Sequence, residues 1–253
     1  MNKERQHVVL TIAGSDSSGR AGIQADIATI RSTGCHAATV ITAVTAQNRT
    51  GVQAIHAIPT EIVEAQIRSV IKDTTPSSIK IGMIYNAEIT KCIVRTFRDY
   101  PTIPIIYDPV MVSTSGGLLM SREAVDVIKE ELFPICELIT PNIPEASTLT
   151  NREIKNTDDM SEAAKDLSRD YNCNVLLKGG HLQDDVLTDI LCLKGTDEII
   201  SFNSQRIREG NFSGTGCRLS SGIAGYLALG LSLTESIKRS KTLLEKEIIE
   251  SYR

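Results

Sequence analysis

Gly214-Thr215-Gly216-Cys217 stands directly before a segment whose apolar residues Leu219, Ile223 and Leu227 recur at helical spacing. Two glycines ahead of a helix leave a run of free backbone N–H groups aimed at one point. Together with the positive end of the helix dipole they make an anion hole. Cys217 falls in the first turn, where the dipole is expected to lower the thiol pKa; the alternative is a buried structural cysteine. A second glycine-rich stretch runs from Gly14 to Gly22 through Asp16, Gly19, Arg20 and Ala21, between an apolar run and a helical segment. Its glycines let backbone N–H groups approach a ligand, and a plain turn explains it equally well. Asp108 follows the apolar run Ile105-Ile106-Tyr107. A carboxylate there can hold Mg²⁺ beside a nucleotide, or cap a turn. Asn142 and Glu145 stand three residues apart at a helix start, a spacing that also suits mutual capping.

Such residues need strand ends and helix starts to hold them, and the apolar pattern supplies both. Residues 7–13 read as a buried strand. Ile23, Ile27 and Ile30 then form one face of a helix over 21–33, ended by Gly34. A strand over 38–44 follows, and Thr60 is placed to cap a helix with Val63, Ile67, Val70 and Ile71 inward. Strands over 78–81, 103–107, 138–140 and 175–178 alternate with helices over 87–98, 122–132 (capped by Ser121) and 158–170. Two runs, 187–193 and 198–202, have no helix between them and read as an antiparallel hairpin on the sheet edge. Helices over about 215–229 and 234–251 close the pattern. Strand–helix alternation predicts an α/β fold, a mainly parallel sheet with helices on both faces. Ligands of such sheets bind at the carboxyl ends of the strands, where these loops fall.

The bulk properties narrow the field. The 253 residues are 41% hydrophobic, ordinary for one α/β domain over 1–253, and no repeat or linker-like stretch divides them. A net charge of -4 predicts no general affinity for nucleic acid or for anionic membrane. No run approaches the roughly 18 apolar residues of a membrane span, and the first ten residues lack the apolar core of a secretory signal. The six cysteines show neither C-x-x-C nor zinc spacing, which suits a cytoplasmic protein with free thiols. Four histidines show no metal spacing. No G-x-x-x-x-G-K-[ST] occurs, and no G-x-G-x-x-G follows the first strand, so neither a P-loop nor a dinucleotide fingerprint is present.

Seven stretches in order, LTIAGSDSSGRAGIQADI, VITAVTAQNRTGV, IKIGMI, YDPVM, LITPNIPEA, LLKGGHL and GTGC, resemble the hydroxymethylpyrimidine/phosphomethylpyrimidine kinases of thiamine biosynthesis, in the ribokinase-like superfamily. They span residues 10–217. The resemblance implies one α/β domain with a central, mostly parallel sheet between two helix layers. It implies ATP- and Mg²⁺-dependent phosphorylation of an aminopyrimidine alcohol and then of its monophosphate, by a homodimer. By position, Gly14, Asp16, Ala21, Gln47, Met83 and Val110 correspond to the pyrimidine pocket. Gln47 is of the type a buried aminopyrimidine needs, an amide that donates and accepts, and Met83 and Val110 offer apolar surface. Asp108 and Glu145 correspond to the magnesium side, with Asn142 beside them. Lys178 and Lys241 correspond to positive charges at the nucleotide phosphates. Gly214, Thr215, Gly216 and Cys217 correspond to the anion hole and the catalytic position.

Four features depart from the family pattern. Arg20 stands where glycine is usual, Ser213 where histidine is common, and Arg218 where a small hydroxyl residue is frequent. The sequence also stops short of a glycine-containing tail common in the family. Two rival readings follow: a pyridoxal kinase of the same superfamily, and a non-catalytic pyrimidine sensor on the same fold. Retention of Gly214–Cys217, Asp108 and Lys178 argues against the sensor.

Overall fold

Nine strands share one sheet in the computed structural model, which describes residues 6–111, 121–182, 185–207 and 214–250. They are β1 (Val8–Asp16), β2 (His36–Asn48), β3 (Gly51–Ala57), β4 (Ser78–Ile81), β5 (Ile105–Tyr107), β6 (Leu138–Ile139), β7 (Asn174–Leu177), β8 (Val186–Cys192) and β9 (Ile199–Gln205). The order is β3-β2-β1-β4-β5-β6-β7-β8-β9. The six strands from β2 to β7 in this order run parallel. β3 pairs antiparallel at one edge, and the β8–β9 hairpin does so at the other.

Successive side chains of a strand point to opposite faces, and both faces here are apolar. Leu10 and Ile12 of β1, Ile79 and Ile81 of β4, and Val175 and Leu177 of β7 join one core layer. Helices α2 (Thr60–Asp73), α3 (Ala87–Phe97), α4 (Arg122–Val127), α5 (Ile143–Thr150) and α6 (Thr157–Tyr171) cover it. Val9, Ile106, Leu138 and Leu176 face the opposite way, against α1 (Gly22–Ser32), α7 (Thr215–Ala228) and α8 (Leu233–Glu250). From β1 the chain crosses to β2 on one side, while β4 lies on the other, so the strand order reverses between β1 and β4. That reversal is where an open α/β sheet forms its crevice.

Several predicted bounds shift. β1 continues past residue 13 through Gly14 and Ser15 to Asp16, because Ser15 and Asp16 resume pairing with Val44 and Thr45 after a register shift. The strand predicted over 38–44 extends to Asn48 and turns back as β3, so Gln47 lies in a strand and not in a loop. Thr60 is the first helical residue of α2; Pro59 holds the cap position, without a side-chain bond. Ser121 does cap α4, accepting from the Ala124 N–H, but the helix turns π-helical over Ile128–Leu132. The strand over 78–81 and the edge hairpin appear as predicted. Residue 251 of the last predicted helix, and Ser213, lie outside the described residues. All six cysteines are free. Among the described residues no helix is long and apolar enough to cross a membrane.

Candidate active site

A cleft of about 1170 Å³ opens at the carboxyl ends of the parallel strands. It exceeds the roughly 300–1000 Å³ of a single small-ligand pocket, leaving room for two reactants side by side. The residues assigned by position to the pocket, the phosphate side and the catalytic turn line it: Gly14, Asp16, Ala21, Gln47, Met83, Asp108, Val110, Asn142, Glu145, Lys178, Gly214, Thr215, Gly216, Cys217 and Lys241.

The two glycine-rich stretches meet in this cleft. Gly214 caps α7 with φ 74°, a left-handed conformation that favours glycine. A Cβ there would also lie 2.1 Å from the Arg20 carbonyl oxygen, so residue 214 has no room for a side chain. Gly22 has φ 56°, and its Cβ would come within 2.3 Å of the Gly14 carbonyl oxygen. The first turn of α7 lies beside charge: a Cβ on Gly216 would lie 3.1 Å from Lys178 Nζ and 3.3 Å from Asp108 Oδ2.

Lys178 Nζ donates to Asp108 Oδ1 at 2.6 Å, and Thr140 Oγ1 donates to the same oxygen at 3.1 Å. Burial works against the Lys178 ammonium, but Asp108 and Glu145 outweigh it and hold its pKa above the ordinary lysine value. Asn142 and Glu145 form a full capping box on α5: Glu145 N–H donates to Asn142 Oδ1 at 2.9 Å, and Asn142 N–H donates to Glu145 Oε2 at 2.8 Å. Capping therefore takes up the Asn142 side chain, while the Glu145 carboxyl still feels Asp108 and Lys178. Burial pushes the Glu145 pKa up to about 7; Lys178 opposes the rise and Asp108 adds to it.

Cys217 corrects an expectation. Its thiol pKa is raised, not lowered: burial dominates, Asp26 and Asp108 add to it, and Lys80 and a Gly22 N–H bond only partly oppose it. The helix dipole acts over one turn and is overridden by desolvation. Cys217 is therefore a neutral thiol at pH 7.

At the substrate end, the Asp16 carboxylate accepts from Ser18 N–H at 2.8 Å, Ser18 Oγ at 2.9 Å, Arg20 N–H at 3.1 Å and Ala21 N–H at 2.9 Å. Asp16 thus shapes the loop. Gly14 brings the chain against Met83, whose Sδ would be 3.2 Å from a Cβ at 14. Ser17 pins the Gln47 backbone with two bonds of 2.9 Å, while the half-buried Gln47 amide has one long contact, from Thr45 Oγ1 at 3.5 Å. Lys241 is paired with Asp189, whose Oδ1 also accepts the Gly179 N–H at 2.9 Å.

The sequence reading missed Asp189 and a fully buried Lys80–Asp26 pair. A lysine inside the four-residue apolar strand β4, and an aspartate beside Ile23 and Ile30 on one helix, were the available signals. Of the departures, Arg218 is paired with Glu247 of α8 at 2.9 Å, and Arg20 is half-buried in the cleft wall.

Residues 16–253 match the family described as phosphomethylpyrimidine kinase. The chain is 45% identical over 240 residues to the thiamine biosynthesis bifunctional protein ThiED of Geobacter sulfurreducens, covering 95% of this chain but 49% of that protein. It thus spans about half the length of that relative. It is 40% identical over 243 residues to the hydroxymethylpyrimidine/phosphomethylpyrimidine kinase of Haemophilus influenzae, covering 95% of this chain and 90% of the relative. Among solved structures, a phosphomethylpyrimidine kinase from Clostridium difficile aligns with a TM-score of 0.84 and 40% identity, over 96% of this chain and 100% of that one. A Staphylococcus aureus pyridoxal kinase in complex with AMP-PCP and pyridoxal aligns with a TM-score of 0.87 at 26% identity, over 96% and 88%. With nearly its whole length matched in sequence and its ribokinase-like sheet matched in structure, this chain belongs to the phosphomethylpyrimidine kinase family.

Proposed function

We propose that the chain transfers the γ-phosphoryl group of ATP to hydroxymethylpyrimidine, to its monophosphate, or to both. The observation that carries this reading is the meeting, within one cleft, of the Gly214–Cys217 turn with Lys178 and Asp108, with Gly14, Gln47 and Met83 lining the same space. Phosphoryl transfer needs positioning and charge stabilisation more than covalent chemistry. The first-turn N–H groups of α7 hold the transferring phosphoryl, and Lys178 neutralises charge on the nucleotide phosphates. Gln47 pairs with the aminopyrimidine, and Met83 and Val110 flank its ring.

The donor set fits magnesium. Asp108 and Glu145 offer hard carboxylate oxygens in one cleft, and burial, which raises the Glu145 pKa against the pull of Lys178, makes that carboxyl one whose ionised form a cation would favour. Among the described residues no group of three or more His, Cys, Asp or Glu could hold a metal ion. Mg²⁺ needs fewer: it binds through one or two carboxylates with water and substrate phosphates. When bound between Asp108 and Glu145 it would supply positive charge that offsets the nucleotide phosphates.

The S. aureus neighbour is a pyridoxal kinase, so that ring is the second reading. A coupled assay with ATP and, in turn, hydroxymethylpyrimidine, its monophosphate and pyridoxal decides between them. Turnover of a pyrimidine substrate supports the proposal; turnover of pyridoxal alone overturns it.

Two variants test the parts. Gln47→Ala is expected to raise the pyrimidine KM about tenfold and leave ATP affinity alone, since a buried polar group left unpaired costs about 1–3 kcal/mol. A wild-type KM would remove Gln47 from the pocket. Asp108→Asn is expected to raise the Mg²⁺ concentration needed for half activity. A magnesium titration that overlays the wild type would leave Asp108 as the counter-ion of Lys178 alone.

A further inference from the structure

Beneath the first turn of α7 lies a charged pair to which the proposed reaction gives no contact with either substrate. Lys80 of β4 and Asp26 of α1 are both fully buried, and Lys80 Nζ donates to the two Asp26 oxygens at 2.8 and 2.9 Å. Asp26 also accepts from Thr11 Oγ1 of β1 at 2.6 Å and from Ser221 Oγ of α7 at 2.8 Å. Two strands and two helices therefore converge on one carboxylate. The space for the ammonium is made by Gly82, where a Cβ would lie 2.7 Å from Lys80 Nζ.

Position along α7 gives the cluster its meaning. Ser221 stands one turn after Cys217, on the helix whose first turn is the anion hole. The farther part of α7 is held separately: Ser78 Oγ donates to the Ala224 carbonyl at 2.7 Å, and Cys35 Sγ to the Gly225 carbonyl at 3.4 Å. Ser221 ties the catalytic end to β1 and β4, the strands that flank the crevice. A buried ion pair adds little net stability over well-packed apolar side chains. Its value here is directional, because hydrogen bonds fix an angle and a register that apolar packing does not.

We infer that Lys80 is a positioning residue: by holding Asp26 as acceptor for Ser221, it fixes the first turn of α7 so that the Thr215, Gly216 and Cys217 N–H groups aim at the transferring phosphoryl. This rests on the phosphoryl-transfer reading above. The side chain of Lys80 is fully buried and acts through Asp26 and Ser221.

The test replaces the pair by apolar side chains, Lys80→Met with Asp26→Leu, and separately removes one hydroxyl, Ser221→Ala. The main readout is binding of ADP with magnesium, alone and with fluoroaluminate, a mimic of the phosphoryl in flight. Both variants are expected to bind ADP with about wild-type affinity. The tightening that fluoroaluminate gives the wild type should fall about tenfold in the double variant and less in Ser221→Ala. The kcat should fall in parallel, with the pyrimidine KM little changed, as for a misplacement of the catalytic donors. Wild-type tightening and kcat in the folded double variant would overturn the inference and leave the pair purely structural. Should the double variant not fold, Ser221→Ala decides on the same two readouts. No fluoroaluminate tightening in the wild type would also overturn it. Should the wild type phosphorylate neither pyrimidine, the functional proposal falls, while the fluoroaluminate comparison still judges Lys80.

Discussion

Lys178→Met is expected to lower kcat by about 10²–10³-fold, the usual loss when one donor to a transition-state anion is removed from a preorganised site. Lys178 comes from the end of β7, its Nζ is 2.6 Å from Asp108, and it lies beside Gly216, where a Cβ would stand 3.1 Å from Nζ. Removing it does more than subtract one charge. Asp108 and Glu145 lose the cation that offsets their mutual repulsion, and Lys178 is what restrains the Glu145 pKa at about 7. That pKa should rise further in the variant, so more of the carboxyl is protonated at neutral pH and more magnesium is needed. Lys178→Arg should rescue little, since Nζ already lies 3.1 Å from where a Gly216 Cβ would stand, and a planar guanidinium is bulkier than a compact ammonium. Steady-state kcat for both pyrimidine substrates, taken at saturating magnesium, checks this. A loss under about threefold would make Lys178 only the counter-ion of Asp108.

How far the site was legible follows from what kind of signal each residue carries. Gly214, Gly216 and Gly22 were readable because a backbone need excludes side chains, and the clashes at 2.1 and 2.3 Å for Gly214 and Gly22 show that need. Strand–helix alternation was readable because both faces of the sheet are covered, so the strands read as short apolar runs. The β2–β3 hairpin was not, because β2 carries exposed Val44 and Ala46, and its partner Gly51–Ala57 exposes Gln53, Ala54 and His56. Weakly apolar edge strands resemble loops, and Gln47 was therefore placed after a strand that in fact contains it. Lys80 and Asp26 were invisible for the opposite reason. Each sits on a face predicted to be apolar, and only the fold puts them 2.8 Å apart. Asp189 escaped because it lies on the edge hairpin, 52 residues from Lys241. The Cys217 pKa was misread because sequence supplies the dipole's direction but not the depth of burial.

Cys217→Ala is expected to lower kcat for the alcohol substrate by about 10²-fold at pH 8, the lower end of general base catalysis, and to cost the monophosphate much less. The raised thiol pKa gives this expectation a pH signature. Burial and the neighbouring Asp26 and Asp108 hold the thiol above its ordinary value, so only a small fraction is thiolate at neutral pH. An alcohol must give up a proton as it attacks, and the thiolate can take it. Below the thiol pKa the thiolate fraction grows tenfold per pH unit, so kcat for the alcohol should climb steadily between about pH 6 and 8. A phosphomonoester has its second pKa near 6, so the monophosphate attacks as an anion and its profile should level off above about pH 7. Cys217→Ala should flatten the alcohol profile and leave the other unchanged. Cys217→Asp should cost the monophosphate more than the alcohol, since a fixed carboxylate within electrostatic reach of Asp108 repels an anionic nucleophile more than a neutral one. Single-turnover rates on both substrates across this pH range separate the outcomes. Parallel profiles with equal, small losses in Cys217→Ala would mean that no proton passes through the sulfur. The first turn of α7 would then work through its backbone N–H groups, and the neutral thiol would serve to keep a charge out of the path of an anionic substrate.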